Sequence, residues 1–117
     1  MKEAYVSFET AKLLKEKGFD EKVFTYYEDK VLKEGLWFEW NRSPLGHIAA
    51  PTHQMACAWL RDVHNIFILV GWNWLRKEYF TRIYDMTNGY PKRNIHEYTD
   101  YNRAIEAAIK YSLENLI

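Results

Sequence analysis

The chain has 117 residues, enough for one domain with one hydrophobic core and too few for two. Apolar residues make up 48% and charged residues 27%, a balance that excludes a disordered chain. Sixteen basic and sixteen acidic side chains cancel, which argues against general DNA binding, since that draws on a basic excess.

Aromatic residues are over-represented at 17%. Either the core is rich in rings or some of them face a ligand or partner. A lone cysteine forms no internal disulfide, and nothing in the chain calls for an oxidising compartment. The longest apolar run, Ile66–Val70, is far shorter than the roughly 20 residues that span a bilayer. The first residues lack the charged-then-apolar pattern of a secretion signal. The expectation is a cytoplasmic protein with no membrane partner.

A first helix is expected over residues 8–17. Ser7 is a good N-cap, Glu9 suits the positive end of the helix dipole, and Gly18 suits the left-handed position beyond the last turn. Val23–Tyr27 is β-branched and aromatic and reads as a strand. Glu28–Gly35 is charged and reads as a linker holding a turn or a short helical segment. Leu36–Trp40 reads as a second strand, with Leu36, Phe38 and Trp40 on one face, and Asn41–His47 as a loop.

Thr52 is the expected cap of a second helix. Met55, Ala56, Trp59, Leu60 and Val63 recur on it at helical spacing. Asn65 suits a left-handed stop. Ile66–Trp74 is apolar at both parities, the pattern of a central strand covered on both faces. Glu78–Met86 is expected to pair with it through a turn near Leu75–Lys77. Asn88-Gly89 signals another turn, and an edge strand is expected near Ile95. Thr99 is the expected cap of a third helix whose inner stripe includes Tyr101, Ile105, Ala108, Ile109, Ser112, Leu113 and Leu116. The order is α-β-β-α-β-β-α. The expected architecture is a single α+β domain over residues 1–117, with a mostly antiparallel sheet of about four strands packed by helices.

Ser7–Asp20, Ala50–Met55, Trp59–Ile66 and Ala104–Ile117 resemble segments of a family of small uncharacterised proteins borne by phages and prophages of gut bacteria. These segments are caps and helix stripes, so the resemblance concerns fold. It implies a short accessory protein made inside an infected bacterium.

His53 and Cys57 are four residues apart and project from one side of the second helix. A thiolate beside an imidazole near a helix N-terminus is a nucleophile pattern. A lone cysteine is more often a small core residue. A metal would need His47, His64 or His96 as further ligands, and His64 lies about three helical turns from His53. The expectation is therefore no catalytic residue, no metal and no cofactor, and a protein that is not an enzyme.

Trp72 and Trp74 continue the parity of Ile66, Ile68 and Val70, and Arg76 and Lys77 follow them. Together with Lys92 and Arg93 they form a candidate ligand site, because rings stack on bases and cationic side chains pair with phosphate. The same rings can instead finish the core beneath the first and third helices. The resemblance to phage-borne proteins implies two binding functions. One is a host protein partner, for example a defence protein that is inhibited. The other is a sequestered nucleotide-like signalling ligand, in a pocket that a homodimer can share.

Overall fold

The computed structural model describes residues 4–117, with residues 90–97 described by backbone alone. The fold class is α+β. The chain divides into two compact units, Met1–Met55 and Ala56–Ile117.

In the first unit, helix α1 spans Phe8–Glu16. The Ser7 hydroxyl caps it by accepting from the Thr10 N–H at 3.2 Å. Gly18 takes φ +94° and the Phe19 N–H returns to the Leu14 carbonyl at 2.9 Å, closing the helix end as expected. Strand β1 is Val23–Glu28 and strand β2 is Val31–Phe38. A single 3-10 turn, Trp40–Arg42, leads to the short strand β3, Ile48–Ala49. The three strands form an antiparallel sheet in the order β2-β1-β3. Val6, Ala11, Leu14, Phe19, Val23, Ala49 and Ala50 are its buried apolar residues.

The turn expected within Glu28–Gly35 is present, but the rest of that segment is strand rather than linker. Asp29 and Lys30 take φ of 50° and 65°, the two left-handed residues of a tight type I′ turn, and Glu28 pairs directly with Val31. The charged segment is therefore a hairpin turn and most of a strand. Trp40 lies beyond the strand, in the 3-10 turn, so the expected Leu36–Trp40 strand ends at Phe38.

Helix α2, His53–His64, begins at the boundary of the units. The Thr52 hydroxyl accepts from the Met55 N–H at 3.1 Å, and Asn65 takes φ 57°, both as the sequence predicts. Val63 is exposed rather than part of the buried stripe. Strands β4 (Ile66–Asn73), β5 (Glu78–Asp85) and β6 (Tyr90–Tyr98) form a second antiparallel sheet in that order. Helix α3, Tyr101–Asn115, packs on all three strands. Its cap is Asp100, whose carboxylate accepts from the Asn102 N–H, rather than Thr99.

Two sheets of three strands replace the expected single sheet of about four; β3 is an added strand, and β6 is the edge strand expected near Ile95. Strand β4 is an edge, not a central strand. Its two parities have different partners. Ile66, Ile68 and Val70 share a face with the buried Thr81 and Ile83, whereas Phe67 and Leu69 are exposed on the other face. A Cβ on Gly71 would clash with the Phe80 ring, so that ring lies over the strand where a side chain is missing. No helix among the described residues is long and apolar enough to cross a membrane.

Candidate functional site

Two regions carry concentrated chemistry, one in each unit. In the second unit, Trp72, Trp74, Arg76 and Lys77 gather at the β4–β5 turn. Trp72 is 50% exposed and packs edge-on against Tyr79, which packs in turn against Tyr101. It thus finishes the face that α3 covers. Trp74 is 72% exposed in the turn, where the Asn73 side chain accepts from the Leu75 and Arg76 N–H groups. Arg76 is paired with Glu78 at 3.2 Å, so its charge is partly neutralised. The register sets Arg93 opposite Ile83, five residues along β5 from Glu78 and roughly 17 Å away. The side chains of Lys92 and Arg93 lie outside the described residues.

The residues singled out on α2 are buried or half-buried. His53 is buried at the helix start, and burial pushes the Cys57 thiol up to about 11. Such a thiol is a poor nucleophile. His64 packs edge-on against Trp59 at 4.7 Å. Among the described residues no group of three His, Cys, Asp or Glu side chains is placed to hold a metal ion.

The first unit holds a constellation that the sequence reading missed. The turn at Asp29–Lys30 folds β2 back so that Tyr26 lies opposite Lys33. Gly35 then has no side chain to obstruct the rings above it; a Cβ there would meet Trp40 at 2.6 Å and Tyr26 at 2.8 Å. Tyr26 and Trp40 stack with centroids 4.1 Å apart. The Trp40 indole N–H reaches the Val23 carbonyl at 3.0 Å and the Leu36 carbonyl at 3.1 Å, bracing the irregular end of the β1–β2 ladder. Both rings meet the His47 imidazole edge-on, at 4.7 and 5.2 Å.

His47 is buried, and each of its ring nitrogens has a partner. Nδ1 is 2.9 Å from Ser43 Oγ and Nε2 is 3.0 Å from Glu28 Oε2. Lys33 donates to the other oxygen of Glu28 at 3.1 Å, and the backbone carbonyl of His47 accepts from Lys15 at 3.0 Å. The Lys33 hydrogen bond, followed by that of His47, holds the Glu28 carboxyl below its ordinary range. An ionised Glu28 only accepts, so Nε2 carries a proton. In the neutral imidazole Nδ1 is then the acceptor, and the Ser43 hydroxyl donates to it. Ser43 Oγ itself accepts from the Leu45 N–H at 3.2 Å. The result is an ordered chain, Ser43 to His47 to Glu28 to Lys33, against an aromatic wall. The four-residue spacing of Ser43 and His47 was visible in the sequence. Their link to Glu28 needed the hairpin.

The third notable surface is β2 itself. All eight of its residues are exposed, among them Val31, Leu32, Leu36, Trp37 and Phe38. Phe24 on β1 is also exposed and its ring lies 4.8 Å from that of Trp37.

No family model, curated protein or solved structure matches this chain.

Two outcomes follow from the titrating groups. A rise of the Cys57 thiol from 9.0 to about 11 cuts its thiolate fraction about 100-fold, so iodoacetamide should alkylate the folded protein about 100-fold more slowly at pH 8 than the denatured chain. Glu28 has a lowered native pKa, so its contribution to stability is present above the ordinary value of 4.5 and is lost as pH falls below it toward the native value. The melting temperature of Glu28→Gln should therefore fall less steeply below pH 4.5 than that of the parent protein.

Proposed function

We propose that this protein acts by binding, and that β2 pairs with an extended segment of a protein partner. The observation that carries this reading is an edge strand of eight exposed residues, five of them large and apolar. In a tight two-residue hairpin the flanking pair Glu28–Val31 is hydrogen-bonded and bonding alternates from there. The backbone groups of Leu32 and Glu34 consequently point away from β1. The Thr25 carbonyl, opposite Glu34, accepts from the Ala50 N–H at 3.0 Å on the other side of β1, as this alternation requires. Outward N–H and C=O groups beside apolar side chains are what an added strand recognises.

The size of the surface suits a modest affinity. Phe24, Val31, Leu32, Leu36, Trp37 and Phe38 each expose on the order of 100 Å², about 600 Å² together, against about 800 Å² per partner in a stable complex. At about 25 cal/mol per Å² the gross gain is about 15 kcal/mol, from which association removes about 4–15 kcal/mol. Lys33 and Glu34 cancel on this strand, so electrostatic steering should contribute little and binding should depend weakly on salt. In the setting that the family resemblance implies, the partner is a protein of the infected bacterium, and occupying its strand inhibits it.

The test is capture of partners from bacterial lysate on immobilised protein, compared with two variants. Leu36→Lys changes a side chain that is 79% exposed and should leave stability within about 0.5 kcal/mol. Glu34→Pro removes one outward N–H. A partner that binds by strand addition should lose at least about tenfold in affinity to each variant. A partner that binds both as tightly as the parent protein would contradict the reading.

A further inference from the structure

We infer that Ser43 is an activated nucleophile, with His47 as its general base and Glu28 as the residue that positions the base. This site is independent of the outward edge of β2. The three side chains stand in the order that nucleophilic catalysis requires: Ser43 Oγ is 2.9 Å from His47 Nδ1, and His47 Nε2 is 3.0 Å from the Glu28 carboxylate. The imidazole nitrogens are used in the opposite sense to those of serine proteases. Either nitrogen of a neutral imidazole can accept, so the roles are preserved.

The constellation is held rigidly where it must be and left open where a substrate must enter. His47 is fixed by Tyr26, Trp40 and the Lys15 contact to its carbonyl. Ser43 is half-buried, and Pro44, Leu45 and Gly46 beside it are exposed. The substrate class is a carboxylic ester, whose acyl carbon is the electrophile that a serine hydroxyl activated by an imidazole attacks. Ser43 Oγ forms a bond to the acyl carbon while its proton passes to His47 Nδ1. The imidazolium charge is stabilised by Glu28. The acyl carbon–alkoxide bond breaks and the alcohol leaves with that proton. Water then attacks the acyl-Ser43 ester by the same steps, releasing the acid and restoring the hydroxyl. General-base assistance of this kind contributes roughly 10²–10⁴-fold.

The probe is a fluorophosphonate. Ser43 Oγ bonds to phosphorus, fluoride leaves, and His47 takes the serine proton. Incubation of the folded protein followed by peptide mass spectrometry should place the adduct on Ser43, and Ser43→Ala should not be labelled. His47→Gln should slow labelling at least about 100-fold. Glu28→Gln should slow it about tenfold with Glu28→Asp recovering part of the rate, and circular dichroism should confirm that each variant is folded. An unlabelled Ser43 in the parent protein would overturn the inference. So would labelling that proceeds equally fast in Glu28→Gln, which also settles the matter if His47→Gln does not fold.

Discussion

The tight turn at Asp29–Lys30 is the constraint on which the first unit depends. Two consecutive residues with positive φ reverse the chain, and neither is glycine. Left-handed backbone costs an L-residue roughly 1–2 kcal/mol, so the turn persists because the ladder it closes repays the strain. That ladder makes β2 a strand. It also sets Glu28 within reach of Lys33 and brings Gly35 under the Tyr26–Trp40 stack. His47 arrives from a loop 19 residues later and finds one oxygen of the Glu28 carboxylate facing it. Without the turn there is no edge strand, no aromatic wall and no ordered proton chain.

One hairpin thus serves two kinds of chemistry on two different parts of its surface. The outward edge of β2 offers backbone donors and acceptors flanked by apolar side chains, a surface suited to another strand. The face of β1 and β2 under Trp40 holds a buried imidazole whose hydrogen-bond partners are all charged or polar. The second unit is simpler in design. Helix α3 buries Ala104, Ile105, Ala108, Ile109 and Leu113, and the sheet beneath it supplies Thr81 and Ile83. Its aromatic residues divide between finishing that face, as Trp72 does, and standing in the turn, as Trp74 does.

Helices were read from the sequence most directly. Ser7, Gly18, Thr52 and Asn65 act locally, through caps and left-handed stops, and each sits where its chemistry predicts. Strand β4 was located but misplaced within its sheet. Apolar residues at both parities mean coverage on both faces only if something covers them, and sequence does not show whether Phe67 and Leu69 are covered. A turn was expected within Glu28–Gly35, but the strand after it was missed, because Asp29-Lys30 is not a usual type I′ pair and a run of charged residues looks like a linker until its backbone is paired. Ser43 was passed over for the same reason. Its relation to His47 is local and legible, but Glu28 joins them only through the register of β1 with β2. Cys57, conspicuous as the lone thiol, is half-buried, and that burial raises its pKa.

Amide hydrogen exchange along β2, read residue by residue by NMR, tests the central claim most directly. If the turn at Asp29–Lys30 sets the register, the Val31 and Lys33 amides are bonded to β1 and exchange slowly, while those of Leu32 and Glu34 point outward and exchange freely. Alternating protection over these four residues is the result the account predicts. Uniformly fast exchange from Val31 to Glu34 would mean that the segment is a linker after all, and the edge strand and the His47 site would fall with it.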